Sequence, residues 1–247
     1  MKKCWKGWDK WKLRPENLVE EAKRKAAREA VRQIEDGQVI GLGSGSTVAY
    51  AAEELGGRIK TEKIRVKVVP TSYQALMLAI NNGIPVTSLD ENPRLSLAID
   101  GVDQIDCHLN MIKGMGGALT REKIVASASE RLLIVADWRK RVKTLGENNH
   151  PVPIEVLPFA LKPVTLKIME LGGKPIIREG GGKVGPVVTD NGNFIIDAYF
   201  GLISDPESLE RKLKSIPGVI ETGLFIDMAE TVYIGEADGV KVLRRKN

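Results

Sequence analysis

The sequence predicts an α/β protein: a parallel sheet with helices on both faces, carrying a smaller inserted α+β domain of the ferredoxin type. Three observations predict it. Short apolar runs alternate with helical patterns up to residue 137, the arrangement that builds a covered parallel sheet. A glycine-rich turn, Gly41-Leu42-Gly43-Ser44-Gly45, joins the first run to the helix after it. Beyond residue 145 the texture changes, with Pro151, Pro153, Pro158 and Pro163 close together and elements in β-α-β-β-α order.

Residues 16 to 35 read as a helix, with Leu18, Ala22, Ala26, Ala30, Val31 and Ile34 at helical spacing and Asp36-Gly37 closing it. QVIGLGSGSTVAYAAEEL then runs from strand through glycine turn to helix. IRVKVVP (64–70) reads as a second strand, TSYQALMLAINNG (71–83) as a helix, IPVTSL (84–89) as a third strand and LSLAID (95–100) as a fourth. After a polar loop come a helix over LTREKIVASASE (119–130) and a strand over RLLIVAD (131–137). In the second part, VPIEVLPFA precedes a short helix TLKIMELGG, strands KPIIREG and NFIIDAYF, and a helix over ESLERKLKSIPGV (207–219). TVYIG (231–235) is a last strand, placed to return to the main sheet. The expected division is a leader over 1–15, a larger domain over 16–147 rejoined by 223–247, and a small domain over 148–222.

Length and composition fit this scale. The 247 residues are 43% hydrophobic, enough for a sizeable core. The formal charge of +5 is local: the first fourteen residues carry six basic side chains and one acid, leaving 31 basic and 31 acidic residues in a neutral body. Nucleic-acid binding by the fold is therefore not expected. No apolar stretch has membrane-spanning length, and MKKCWKGWDKWKLRPENL lacks the apolar core of a signal peptide, so no membrane partner and a cytoplasmic location are expected. Cys4 and Cys107 make no disulfide framework, and a reducing compartment is the simple reading. Trp5, Trp8 and Trp11 alternate with lysines in the leader, and covering apolar surface on the body or a neighbouring subunit is favoured over a membrane or nucleic-acid contact.

The glycine turn reads as a phosphate site. Gly43 and Gly45 let the backbone turn and approach a ligand, Ser44, Ser46 and Thr47 add hydroxyls, and the next helix aims its free N–H groups at an anion. A lysine before the hydroxyl residue, as a nucleotide-binding P-loop requires, is missing, and the third glycine comes one residue early for a dinucleotide turn. A tight turn with a helix cap and no ligand stays open. Thr71 and Ser72 repeat the strand-to-helix geometry, either lining the same cleft or simply capping a helix.

The segment Asp100 to Glu122, DGVDQIDCHLNMIKGMGGALTRE, gathers acids, a lysine and flexible backbone. Asp100 ends an apolar strand, where parallel sheets place their ligands. Asp103 follows a glycine, Lys113 meets Gly114, Gly116 and Gly117, and Glu122 falls near a helix start. Enolisation of a sugar needs such a set: a carboxylate to move a carbon-bound proton and a cation or donor for the developing oxyanion. The aspartates also suit an Asx turn, and Glu122 a helix N-terminus, but a lysine between glycine turns has no such plain structural use.

These motifs together resemble the type A ribose-5-phosphate isomerases: GLGSGST (41–47), DGVDQID (100–106), IKGMGGALTREKIVA (112–126), TDNGNFIID (189–197) and PGVIETGLF (217–225), in order and over most of the chain. The resemblance implies a Rossmann-like domain carrying the small domain. It implies interconversion of ribose 5-phosphate and ribulose 5-phosphate through an enediolate without metal or organic cofactor, in the non-oxidative pentose phosphate branch, by a homodimer or homotetramer. It makes Glu122 the base and sets Asp100, Asp103 and Lys113 around the sugar hydroxyls and the reacting oxygen. It assigns phosphate contacts to Ser46, Thr47 and Lys140, and substrate contacts to Thr71 and Ser72 and to the glycine turns, Gly43 to Gly45, Gly114 and Gly116. The chain departs from the family's usual DGADE in having Gln104, and Met115 interrupts the glycine run after the lysine. Amino-sugar phosphate deamination, coenzyme A transfer and a non-catalytic sugar-phosphate sensor are the rival readings. A metal at adjacent Cys107 and His108 is disfavoured, because their side chains point apart on any strand.

Overall fold

The computed structural model describes residues 16–182 and 184–245; the basic leader and its tryptophans lie outside the described residues. In chain order the elements begin α1 (Glu16–Val31), β1 (Val39–Leu42), α2 (Ser46–Glu62), β2 (Lys67–Pro70), α3 (Tyr73–Asn81), β3 (Leu97–Asp100), β4 (Gln104–Ile105) and β5 (Met111–Ile112). They continue with α4 (Leu119–Ser127), β6 (Leu132–Asp137), β7 (Val152–Val156), α5 (Leu161–Glu170), β8 (Lys174–Ile177) and β9 (Phe194–Tyr199). Last come α6 (Pro206–Lys214), β10 (Val219–Thr222), β11 (Leu224–Phe225), β12 (Thr231–Glu236) and β13 (Gly239–Arg244).

Two compact units share these elements. The first runs up to Val102 and takes in Arg121–Arg141 and the chain from Met228 onward. Its sheet has the order β13-β12-β6-β3-β1-β2, with every pair parallel except the β12–β13 hairpin. β6 is buried along its whole length, so its unbroken apolar run LLIVA follows from having both faces covered. Ile40, Leu42, Leu97, Ile99, Leu133 and Val135 pack with Ala26, Ala30 and Ile34 of α1 and Val48 and Leu55 of α2. Each large side chain so buried contributes about 1.5–3 kcal/mol. Helix α1 stops at Val31, four residues short of the expected end, in a tighter turn where the Gln33 N–H donates to Ala30 O.

The expected strand over 84–89 shrinks to one bridge between Val68 and Val86. The Val68 N–H donates to Pro85 O and the Thr87 N–H to Val68 O, both at 2.9 Å, but Pro85 has no N–H with which to extend the ladder.

The second unit comprises Asp103–Thr120 and Val142–Asp227. Its main sheet, β10-β7-β9-β8, is antiparallel and interleaves with α5 and α6 in the β-α-β-β-α-β order of a ferredoxin-like fold. The expected pattern lacked the closing strand β10, which follows the turn at Gly218. Val152, Ile154 and Val156 face Val164, Ile168 and Leu213, so strand alternation turns Pro153 and Glu155 to the opposite side. A small sheet, β11-β5-β4, lies within the stretch read as a polar loop and pairs it with PGVIETGLF. Cys4 lies outside the described residues. No helix among the described residues is long and apolar enough to cross a membrane.

Candidate active site

In the first unit the candidate residues gather where parallel strands end. The turn after β1 approaches the end of β3 so closely that a Cβ on Gly43 would collide with the Asp100 carboxylate and backbone. Gly45 sits at φ +101°, a left-handed conformation that side chains resist. The Asp100 carboxylate is buried and accepts the N–H groups of Ser44 at 3.2 Å and Gly101 at 2.7 Å. Ser44 Oγ shares hydrogen bonds with Thr71 Oγ1 at 2.9 Å and Ser72 Oγ at 2.6 Å. Ser72 also caps α3, accepting the Ala75 N–H at 3.0 Å, so capping and site construction are one structure here.

Helix α2 begins at Ser46 behind Gly45, and no side chain of the described residues caps it. Lys23 of α1 fills that approach. It is buried, and its Nζ donates to Ser46 Oγ at 3.1 Å and to Glu20 at 2.7 Å. The Lys23 ammonium, and after it the Tyr50 hydroxyl, hold the Glu20 carboxyl below its usual value. A cation beside uncapped helix amides is a ready seat for a phosphate. Lys140 lies in the short turn Trp138–Lys140 after β6, at the same strand-end edge. Glu122 is buried in the first turn of α4. The far end of that helix is tied to the start of β3 by the Leu95 N–H on Ala128 O at 2.8 Å, so its first turn runs toward the edge where the strands finish.

In the second unit, β4 and β5 form a hairpin that carries Lys113 at its exit. Asp106 shapes the bend, accepting the N–H groups of His108 at 2.8 Å and Asn110 at 2.9 Å. Burial pushes its carboxyl above the usual value, against the pull of those donors. Lys113 is 2% exposed, and its ammonium stands over the Phe225 ring, 5.3 Å from the centroid. Gly114 at φ +101° and Gly117 at φ +80° turn the chain after it. Gly116 has neither a left-handed backbone nor a close neighbour, so space alone does not dictate glycine there. Asp103 accepts the Met115 N–H on Oδ2 at 3.0 Å.

The ribose 5-phosphate isomerase A (phosphoriboisomerase A) family model matches residues 67–239. The chain belongs to that family. It is 52% identical over 225 residues to ribose-5-phosphate isomerase A of Methanosarcina acetivorans, covering 91% of this chain and 94% of that one. The solved ribose 5-phosphate isomerase A of Methanocaldococcus jannaschii superposes with a TM-score of 0.88 at 45% identity, covering 91% of this chain and 99% of that one. A D-ribose-5-phosphate isomerase in complex with phospho-erythronic acid gives 0.89 at 49% identity, covering 92% and 99%.

Set against the isomerase family, the residues expected in the site divide by unit. Gly43 to Thr47, Thr71, Ser72, Asp100, Glu122 and Lys140 belong to the first; Asp103, Lys113, Gly114 and Gly116 belong to the second. Gln104, a departure from the family's usual acid, is a staple: its amide oxygen accepts the Gly146 N–H at 2.8 Å while its nitrogen donates to Glu147 O at 2.7 Å. A carboxylate there has no hydrogen to donate. Lys23 was missed by sequence reasoning, although its place on the buried stripe with Val19, Ala26 and Ala30 marks a cation where an apolar residue belongs. Among the described residues, no group of three or more histidine, cysteine or acidic side chains is placed to hold a metal.

Proposed function

We propose that the chain interconverts D-ribose 5-phosphate and D-ribulose 5-phosphate through an enediolate, with Glu122 as the proton-transfer base. The observation that carries this is a buried carboxylate in the first turn of α4, in a chain that is 52% identical to a ribose-5-phosphate isomerase. Glu122 takes the proton from C2 of the open-chain aldose and returns it to C1. The C2 hydroxyl proton passes to the C1 oxygen, so no atoms are gained or lost. Lys113 supplies positive charge to the developing oxyanion, and Asp100 and Asp103 orient hydroxyls. Lys23, Ser46, Thr47 and Lys140, with the α2 amides, hold the phosphate. The phospho-erythronic acid in the solved relative suits this chemistry, since a sugar-acid phosphate joins a phosphate to a planar two-oxygen head like that of an enediolate.

We also propose a cytoplasmic homodimer or homotetramer. Tyr73, Met77 and Ile80 leave one face of α3 apolar and exposed, as a subunit contact would use. The test of the reaction is a coupled assay of ribose 5-phosphate turnover with purified, chelator-treated protein and no added cofactor. Turnover well above the buffer rate is expected; ligand binding without turnover would instead support a sugar-phosphate sensor.

A further inference from the structure

We infer that the Arg178–Asp197 pair is a positioning clamp for the Lys113 loop, setting the lysine for catalysis and not merely stabilising the small sheet. This rests on the proposed role of Lys113. The segment after the lysine, Gly114-Met115-Gly116-Gly117, is three-quarters glycine and turns twice through left-handed backbone. Fixing such a chain costs conformational entropy, more for glycine than for any other residue. Something must hold it, and the loop has no long ladder of its own.

Arg178 does the holding. It follows β8, where its N–H donates to Ile195 O at 2.9 Å and its carbonyl accepts the Val187 N–H at 2.8 Å, so its backbone is fixed on both sides. Its Nε donates to Asp197 Oδ2 at 2.8 Å, and its Nη2 makes a second, shorter bond to Asp197 Oδ1. That fork leaves Nη1 aimed at the loop, where it donates to the carbonyls of Gly114 and Met115, both at 3.0 Å. Asp103 takes the Met115 N–H from the other direction. The Gly114–Met115 peptide is thus held at both its carbonyl and its N–H, and the Met115 carbonyl beyond it is held as well.

The planar guanidinium is what permits this. It presents five donors in a rigid fork, enough for a bidentate carboxylate and two carbonyls at once; a lysine offers a point charge with three rotating donors. Both partners are mostly buried, with side chains 13% and 12% exposed, so the pair is weakly screened. An ion pair serving only the sheet would be complete in the fork to Asp197. The third arm, on the two loop carbonyls, adds nothing to β8 and β9 pairing.

The experiment is a double-mutant cycle on the full chain, pairing Arg178→Lys with Lys113→Ala and following turnover and thermal unfolding. Misplacing a catalytic group by about 1 Å can cost on the order of 10²-fold. Arg178→Lys is therefore expected to lower kcat about tenfold or more at nearly unchanged KM. In the Lys113→Ala background it should cost less than about twofold further, because groups acting through one another are non-additive. Wild-type kcat in Arg178→Lys, or the same fold-loss in both backgrounds, overturns the clamp. Lys113→Ala at the wild-type rate overturns the underlying reading instead. Where Arg178→Lys unfolds, Asp197→Asn, which weakens the fork while keeping the arginine, is run through the same cycle with the same two outcomes.

Discussion

The chain contains two glycine-rich turns beside the residues proposed to bind and turn over substrate, and they are held by different means. The turn at Gly43–Gly45 is built into secondary structure: a parallel strand leads in, a helix leads out, and its anchors are strand-end groups such as Asp100 and Thr71. The turn at Gly114–Gly117 leaves a two-residue strand, and its anchors are charged side chains brought from elsewhere in the chain, Arg178 above all. A phosphate seat needs fixed amides, which a strand–turn–helix supplies for nothing further. The role proposed for Lys113 needs one ammonium held in place on flexible backbone, which the proposed Arg178 clamp would supply.

The first way to break this contrast is Gly43→Ala. Its new methyl meets the Asp100 carboxylate, and overpacking of this kind costs about 1–3 kcal/mol. With the turn displaced, kcat/KM should fall on the order of 10²-fold, read by the coupled assay alongside urea unfolding. Lys23→Met is expected to act next. It removes the cation from Ser46 while leaving the turn intact, so KM for the sugar phosphate should rise about tenfold or more with kcat little changed, as befits a charged hydrogen bond of about 1.5–3 kcal/mol. An equal fall in kcat would move Lys23 out of the phosphate seat.

Two smaller changes sharpen the other side. Gln104→Glu deletes the donor to Glu147 O and should cost about 1–3 kcal/mol in urea unfolding near neutral pH. The deficit should shrink in acid as the introduced carboxyl regains a proton to donate. Asp106→Asn tests the hairpin before Lys113. Burial raises the Asp106 carboxyl above 3.8, so between that value and its folded value the native state binds the extra proton. Stability from this group therefore falls as pH rises through that window, and is level on either side of it. The substitution should flatten that part of the stability profile and change activity least of the four.

The same contrast explains what could be read from the sequence. The α/β alternation, the helix starts and the small domain's order all rest on local signals: apolar runs, Ser72 as a cap, glycines closing helices. Pro85 is a local signal against a full strand, since its missing N–H reduces residues 84–89 to one bridge. The glycine turn was legible because strand, glycines and hydroxyls are consecutive. The lysine loop was legible only as a motif. Its clamp depends on Arg178 and Asp197, about sixty and eighty residues further along, and pattern alone does not pair distant charges. Their one trace is an acid inside the apolar run Ile195-Ile196-Asp197-Ala198. Glu155 is the parallel case: a fully buried acid in VPIEV that binds Thr120, Thr189, Asn191 and Asn193, giving TDNGN a structural purpose the motif did not disclose. β10 and β11 are illegible in sequence because they are short, four and two residues, and Gly223 breaks the run between them.

The central claim is that Glu122 moves the carbon-bound proton. The direct measurement is exchange of the C2 proton of ribose 5-phosphate with solvent deuterium, followed by NMR in wild type and in folded Glu122→Gln. The glutamine keeps the shape and removes the proton acceptor, and a positioned base is worth ~10²–10⁴-fold. Exchange at least about 10²-fold slower, with sugar-phosphate affinity little changed, is the predicted result. Exchange at the wild-type rate would contradict it and pass the role of base to another carboxylate, Asp100 or Asp103.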